Sequence, residues 1–202
     1  MRGQLTMRRA IIGGVAAMVA GGVAFGTLAP AVATGPVGSS EHAVVDLEEE
    51  KAGGLTATQR RVIREATARY RDVEAAIADG YQPTDLCVEE PGLGGMGYHY
   101  AHPELVGHDA IDPTLPEILL YAPSPRGDLR LVAVEYLKND ADGDLGTDDD
   151  RPSLLGHEFK GPMEGHEPGQ PVHYDIHAWV WKSNPAGELS DFNPNVRCSS
   201  DD

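Results

Sequence analysis

The clearest pattern of polar and apolar positions lies near the C-terminus, between Pro171 and Lys182. Its residues alternate, with Val172, Tyr174, Ile176, Ala178 and Val180 on one side and His173, Asp175, His177, Trp179 and Trp181 on the other. Alternation combined with β-branched and aromatic residues predicts a β-strand, in which every second side chain points to the same face. The sequence therefore predicts two imidazoles and a carboxylate on one strand face, about 7 Å between successive members.

A helical period is found between residues 56 and 80. Its apolar residues recur at spacings of four, four, three and four and form one stripe: Val62, Ala66, Tyr70, Val73 and Ile77. Thr56 or Thr58 can cap the start, and Gly80 is a typical residue after a helix end. These signals predict one long amphipathic helix.

The clearest hairpin is formed by residues 117–122 and 128–137, which flank a turn rich in proline and glycine. The second segment is largely apolar on both faces, which predicts a central strand. Glu135 would then be an acid in or near the interior. Because an unpartnered buried carboxylate is unfavourable, Glu135 is expected to pair with an arginine, hold a proton or bind a metal ion.

One helix followed by several strands, with no alternating helices, predicts the α+β class. A further short strand is expected at residues 96–101, where His99 stands between Tyr98 and Tyr100. The predicted fold is an N-terminal amphipathic helix packed on an antiparallel sheet of about four strands, helix-grip-like in its element order. Residues 55–202 are interpreted as a single domain of this kind.

Gly92, Gly94 and Gly95 precede the strand expected at 96–101, and Gly97 lies at its start. They lack the lysine of a phosphate-binding loop and lie among acidic residues. They are expected to permit close backbone packing or a bulge.

The first 33 residues have the pattern of a signal peptide. Arg2, Arg8 and Arg9 precede an apolar stretch at 10–25, and Ala-Val-Ala at 31–33 is a typical cleavage site. The arginine pair leaves Sec and twin-arginine export both open. Residues 34–54 are interpreted as a flexible leader. A secreted, extracellular protein is expected, with no stable membrane span after cleavage.

Charge and cysteine content agree with an exported protein. The formal net charge is −16 over 202 residues, which excludes nucleic acid as an expected partner. Cys87 and Cys198 are the two cysteines, and an even pair in an exported chain predicts a disulfide. A thiolate metal site is the weaker alternative, because the pair lacks any C-x-x-C spacing.

If the predicted strands lie side by side, His99, His173, His177 and Glu135 can meet on one face. Three imidazoles with a carboxylate suit copper, zinc, iron or nickel. A carboxylate that orients a metal-binding histidine is also expected, a role open to Asp175 or, if it is not itself a ligand, to Glu135. Calcium is not expected. The aspartate-rich loop at 139–150 has calcium-like spacing but lacks the required glycine and glutamate, where Leu145 and Arg151 stand.

Three functions remain open from these residues. The first is metal binding or handling through the histidine cluster. The second is an extracellular metal-dependent enzyme, hydrolytic or oxidative, with Glu135 or Asp175 as general base. The third is a metal-free module whose small-molecule cavity is lined by aromatic residues: Tyr98, Tyr100, Tyr174, Trp179 and Trp181.

Several short motifs carry a resemblance to a known family. They are Gly-Tyr-His-Tyr at 97–100, Pro-Glu-Ile-Leu-Leu-Tyr-Ala-Pro at 116–123, Leu-Val-Ala-Val-Glu-Tyr at 131–136 and Pro-Val-His-Tyr-Asp-Ile-His-Ala-Trp at 171–179. Together these motifs resemble an uncharacterised family of exported bacterial proteins over roughly residues 60–198. The resemblance implies export and a shared fold, and it implies no particular activity.

Overall fold

The structure is a computed structural model that describes residues 53–106, 108, 110–166 and 169–198. The predicted signal peptide and residues 34–52 of the predicted leader lie outside the described residues. The helices are α1 (Ala57–Thr67), a 3₁₀ helix (Ala68–Arg71), α2 (Val73–Ala78) and the short α3 (Pro103–Val106). No helix in this described part is long and apolar enough to cross a membrane.

Within the described residues, six strands form the main sheet: β1 (Gln82–Glu90), β2 (Gly94–Ala101), β3 (Ile118–Pro123), β4 (Leu129–Asn139), β7 (Lys160–Met163) and β8 (His173–Ala178). Their order is β1-β2-β3-β4-β8-β7, and every pairing is antiparallel. Two short strands, β5 (Ser153–Leu154) and β6 (His157–Glu158), pair separately. The predicted α+β class and antiparallel sheet are confirmed.

The sheet has two strands more than the four predicted, and both are at its edges. β1 contains Pro83, and β7 contains Gly161 and Pro162. Proline cannot donate to a strand ladder, so it is tolerated where only one side of the strand is paired. Glycine and proline also interrupt the alternation of polar and apolar residues that identifies a strand, so the sequence pattern does not predict β1 or β7.

The prediction of one uninterrupted helix was wrong. Its start is as expected: Thr56 Oγ1 accepts from the Gln59 amide at 3.2 Å, and the Gln59 side chain accepts from the Thr56 amide at 2.8 Å. The helix is interrupted at Asp72, whose backbone is extended at φ −96° and ψ 114°. The Asp72 carboxylate accepts from the Glu74 amide and so caps a new helix, α2.

The two faces of the sheet have separate hydrophobic clusters. One cluster contains Leu119, Val134 and Ile176 together with Ile63 and Tyr70 of the helical segment. The other face carries the alternate residues of the same strands and forms a second cluster: Ile118, Leu120, Ala122, Val132, Ala133, Leu137, Trp179 and Val196. Because side chains alternate along a strand, the residues at positions 133, 135 and 137 of β4 belong to this second face.

The alternation of the last strand ends sooner than predicted. β8 stops at Ala178, and the Trp179 amide donates to Glu188 O. Trp181 lies on the helical side, where its Nε1 donates to Thr67 Oγ1 at 3.0 Å. The prediction that Trp181 shares a face with the histidines was therefore wrong.

The predicted disulfide between Cys87 and Cys198 is present and spans 111 residues. It connects β1 to the C-terminal tail. Disulfides persist in oxidising compartments, so this bond fits an extracellular protein.

Candidate metal centre

Three strands bring His99, Glu135 and His177 together on the face of the sheet opposite α1 and α2. Glu135 in β4 pairs directly with His177 in β8. His99 is in β2, and β3 separates β2 from β4. His99 is in register with Ala133, two residues from Glu135. With strands near 4.8 Å apart and about 3.3 Å per residue, the backbones of His99 and Glu135 are about 12 Å apart. Two long side chains can therefore meet above β3.

The donor atoms of this first group are close together. Glu135 Oε2 lies 3.5 Å from His99 Nε2 and 3.7 Å from His177 Nε2. The exposed fractions of His99, Glu135 and His177 are 7%, 3% and 1%. In a tetrahedral site with bonds of 2.0–2.2 Å, ligand atoms are about 3.3–3.6 Å apart. The observed separations are close to those of three ligands around one transition-metal ion.

Both ring nitrogens of His177 face carboxylates. Its Nε2 faces Glu135, whereas its Nδ1 lies 3.6 Å from Asp191 Oδ1 and 4.0 Å from Asp175 Oδ1. Among the residues that the structure describes, neither nitrogen has a hydrogen-bond partner. Burial, assisted by nearby His99 and Lys160, holds the pKa of His177 well below its ordinary value. The ring is therefore neutral, which is the form that binds metal ions.

Buried acids are crowded beside these imidazoles. Burial raises the pKa of Glu135 well above its ordinary value, and the charges of Asp175, Asp191 and Glu117 raise it further. Burial also raises the pKa of Asp175 to about 7, with Asp191 adding to the shift and Lys160 opposing it. Ionised carboxylates are thus unfavourable here without a positive partner. A divalent cation supplies the positive charge that these carboxylates lack.

Asp191 was not among the predicted site residues. Its Oδ1 accepts from Lys160 Nζ at 2.5 Å and also faces His177 Nδ1. A carboxylate at the outer nitrogen of a metal-binding histidine usually fixes the ring and its tautomer. The structure offers Asp191 as well as Asp175 for this role. No sequence pattern indicated Asp191, because it lies in the C-terminal tail beyond the last strand.

Glycines place this tail beside the site. Gly95 and Asn193 exchange two backbone hydrogen bonds, of 3.2 and 3.0 Å. Gly94 has φ +97°, and a Cβ at this position would lie only 2.1 Å from Asn193 O. The close backbone packing expected of these glycines is confirmed, and it holds the tail against β2 two residues beyond Asp191.

The fourth predicted ligand belongs to a different group. His173 precedes His177 by four residues, about 13 Å along an extended strand, and it pairs with Asn139. Its donor atom lies within 4.8 Å of those of His166 and Asp175. The structure therefore brings together three of the four predicted ligands and places His173 in a neighbouring cluster.

A cavity of about 240 Å³ adjoins the first group. His99 and Glu135 form part of its wall, and His166 lines it as well. The other lining residues are mainly apolar and include Ile118 and Leu137. A molecule in this cavity would contact the same side chains that could hold a metal ion.

This cavity beside His99 and Glu135 is not the aromatic-lined cavity that the sequence predicted. None of the five aromatic residues expected around a ligand is among its described lining residues. Two of them are directed elsewhere, since Trp179 Nε1 donates to Ser190 O and Tyr174 Oη donates to Asp150 Oδ1.

No family model, curated protein or solved structure matches the chain. Its function must therefore be inferred from the geometry and chemistry of the site itself.

Proposed function

We propose that this protein binds a transition-metal ion through His99, Glu135 and His177. The observation that carries the proposal is that two buried imidazole nitrogens and one buried carboxylate oxygen, from three strands, meet at ligand spacing. Nitrogen donors favour copper, zinc, iron or nickel over calcium or magnesium. Two histidines with one carboxylate is a donor set found around catalytic zinc and non-haem iron.

The surroundings of the three residues support this proposal. Strands hold side chains more rigidly than loops do, and rigid placement is what a metal site requires. Asp191 and Asp175 face the outer nitrogen of His177. The buried acids also provide negative charge that a cation would neutralise.

The direct test is metal content. Protein stripped with a chelator should take up zinc or cobalt, and elemental mass spectrometry should find a tightly held ion. His99→Ala and His177→Ala should each weaken binding at this site by at least about 100-fold, because loss of a direct ligand exceeds the 10–100-fold effect of an outer-shell change.

His108→Ala is the matched control. His108 is exposed and belongs to none of the metal-capable groups in the described part of the chain, so this variant should bind like the parent protein. Equal metal content and affinity in the His99, His177 and His108 variants would exclude the proposed site.

We also propose that the chain acts outside the cell. The disulfide between Cys87 and Cys198 supports this location, and the acidic composition suits a soluble extracellular protein.

The cavity beside His99 and Glu135 favours a second candidate function, that of a metal-dependent enzyme or ligand-binding protein. Three protein ligands leave coordination positions for water or substrate. The cavity, about 240 Å³, is below the roughly 300–1,000 Å³ of drug-sized sites. It therefore fits a small ligand with a metal-binding head and a short apolar tail.

A series of straight-chain carboxylates tests this second candidate. Their carboxylate should coordinate cobalt in the cobalt-loaded protein and change its visible spectrum. Each added methylene from acetate to hexanoate should tighten binding roughly fourfold, the equivalent of about 0.8 kcal/mol per buried CH₂. Equal affinities for acetate and hexanoate would show that the cavity does not bind the alkyl chain of the carboxylate.

A further inference from the structure

A second cluster of possible ligands lies next to the first on β8. His166, His173 and Asp175 each present one donor atom, and the three atoms lie within 4.8 Å of one another. Asp175 stands between His173 and His177 on the same strand face, since alternate residues of a strand share a face. The two clusters are therefore neighbours and have no ligand in common.

The ring of His173 has the tautomer that a metal ion requires. Its Nδ1 lies 3.1 Å from Pro171 O, and a carbonyl oxygen can only accept, so Nδ1 carries the proton. In the neutral ring Nε2 then holds a lone pair. His173 is 0% exposed, and within the described residues its Nε2 has no hydrogen-bond partner. A buried lone pair of this kind needs a partner.

Asp175 provides a second buried donor without a partner. Its exposed fraction is 2%, and its Oδ1 makes no hydrogen bond to any residue that the structure describes. Burial of an unpaired carboxylate is unfavourable, and coordination to a cation is one of the ways to compensate for it. Asp175 and His173 are thus two buried, unpartnered donors in one cluster.

His166 connects this cluster to solvent. It is exposed, and its ring lies 5.5 Å from that of His173, centroid to centroid. Its backbone amide donates to Gln170 Oε1 at 2.8 Å. An exposed ligand gives a metal ion a path of entry. His166 also lines the cavity shared by His99 and Glu135.

Another nearby set of donors is less suitable for a cation. Asp175, His177 and Asp191 also lie within 4.8 Å of one another. However, Asp191 already pairs with the ammonium group of Lys160 at 2.5 Å. A metal ion bound to Asp191 Oδ1 would first have to displace this ammonium group, whereas Lys160 makes no such direct bond to Asp175 or His173 among the described residues.

We propose that His166, His173 and Asp175 form a second transition-metal site, more accessible than the first. Two imidazoles and one carboxylate suit zinc, copper or nickel. The protein then holds two ions, one in the buried site of His99, Glu135 and His177 and one at the surface. Because His166 is exposed, the surface ion exchanges faster with solvent.

Zinc titration of the chelator-stripped full chain tests the proposal, with stoichiometry read by calorimetry and elemental mass spectrometry. The parent protein should bind two equivalents. His166→Ala should weaken zinc binding at the second site at least tenfold and leave the affinity of the first site unchanged. His99→Ala should weaken binding at the first site and leave the affinity of the second site unchanged. His166 is exposed, so its replacement should leave the melting temperature of the metal-free protein unchanged. His108→Ala should retain both equivalents.

The outcomes separate the two sites. A single equivalent that depends on His99 and not on His166 would overturn the second site and leave the first intact. Two equivalents with unchanged affinity in His166→Ala would also overturn it. A single equivalent that depends on His166 alone would support the second site and exclude the first.

Discussion

Replacing Glu135 with glutamine should weaken transition-metal binding by at least about 100-fold and, in the same variant, stabilise the metal-free protein by about 1–3 kcal/mol. The first effect follows from loss of the only negative charge among the three proposed ligands, and it should exceed the 10–100-fold effect of outer-shell changes. The second follows because Glu135 is 3% exposed and lies among Asp175, Asp191 and Glu117. Because burial raises the pKa of Glu135 well above its ordinary value, the unfolded chain loses this proton at neutral pH and the metal-free folded protein keeps it, so a neutral glutamine removes a free-energy cost of folding.

The opposite signs of the two effects distinguish a functional residue from a structural one. Loss of a carboxylate that serves stability would lower the free energy of unfolding of the metal-free protein. Loss of a metal ligand lowers it only when metal is bound. Denaturant unfolding with chelator measures the first free energy, and competition with a chromogenic chelator measures metal affinity. A lower stability of the metal-free variant, combined with unchanged metal affinity, would contradict the prediction.

Glu117→Gln is the matched control for this experiment. Glu117 is 2% exposed, and burial raises its pKa to about 7. Its Oε2 accepts from the Leu137 amide, and a glutamine oxygen can do the same. Glu117 belongs to none of the metal-capable groups in the described part of the chain. Its replacement should therefore also stabilise the protein near neutral pH, and it should weaken metal binding far less than Glu135→Gln because it removes a neighbouring charge and not a ligand.

Removing the disulfide by the double substitution Cys87→Ser and Cys198→Ser should lower the free energy of unfolding by about 5 kcal/mol. The bond closes a loop across 111 residues, and the chain-entropy model assigns about 5 kcal/mol to a loop of that size. For a domain of this length the melting temperature should fall by about 10–20 °C.

Thermal and denaturant unfolding of the parent and the double variant, each with and without a thiol reductant, measure this effect. The reductant should destabilise the parent protein and have no effect on the variant. A change below about 1 kcal/mol would contradict the prediction. Such a result would mean that the backbone pairing of Gly95 with Asn193 holds the tail without the covalent bond.

Local pattern was a sound guide to much of the fold. The hairpin of β3 and β4, the capping role of Thr56 and the α+β class were all predicted, since each depends on neighbouring residues. The errors arose where a residue with another local role interrupts a pattern. Asp72 interrupts a helical stripe because it caps a new helix, and the edge strands β1 and β7 contain prolines that weaken their strand pattern.

The sequence by itself determined that His173, Asp175 and His177 lie on one face of a strand, because the period of a strand is two. It also determined that Glu135 is an interior acid and that two cysteines are available to pair. These properties depend on the order of residues along the chain.

Only the tertiary structure decided which of these residues meet. The strand order sets β4 beside β8, and their register pairs Glu135 with His177. His173 is therefore about four residues too far along the strand to join His99, and it lies instead with His166 from a preceding loop. The C-terminal tail adds Asp191 through pairing with residues nearly a hundred positions earlier. Strand order and register are set by long-range packing, which a local pattern does not encode.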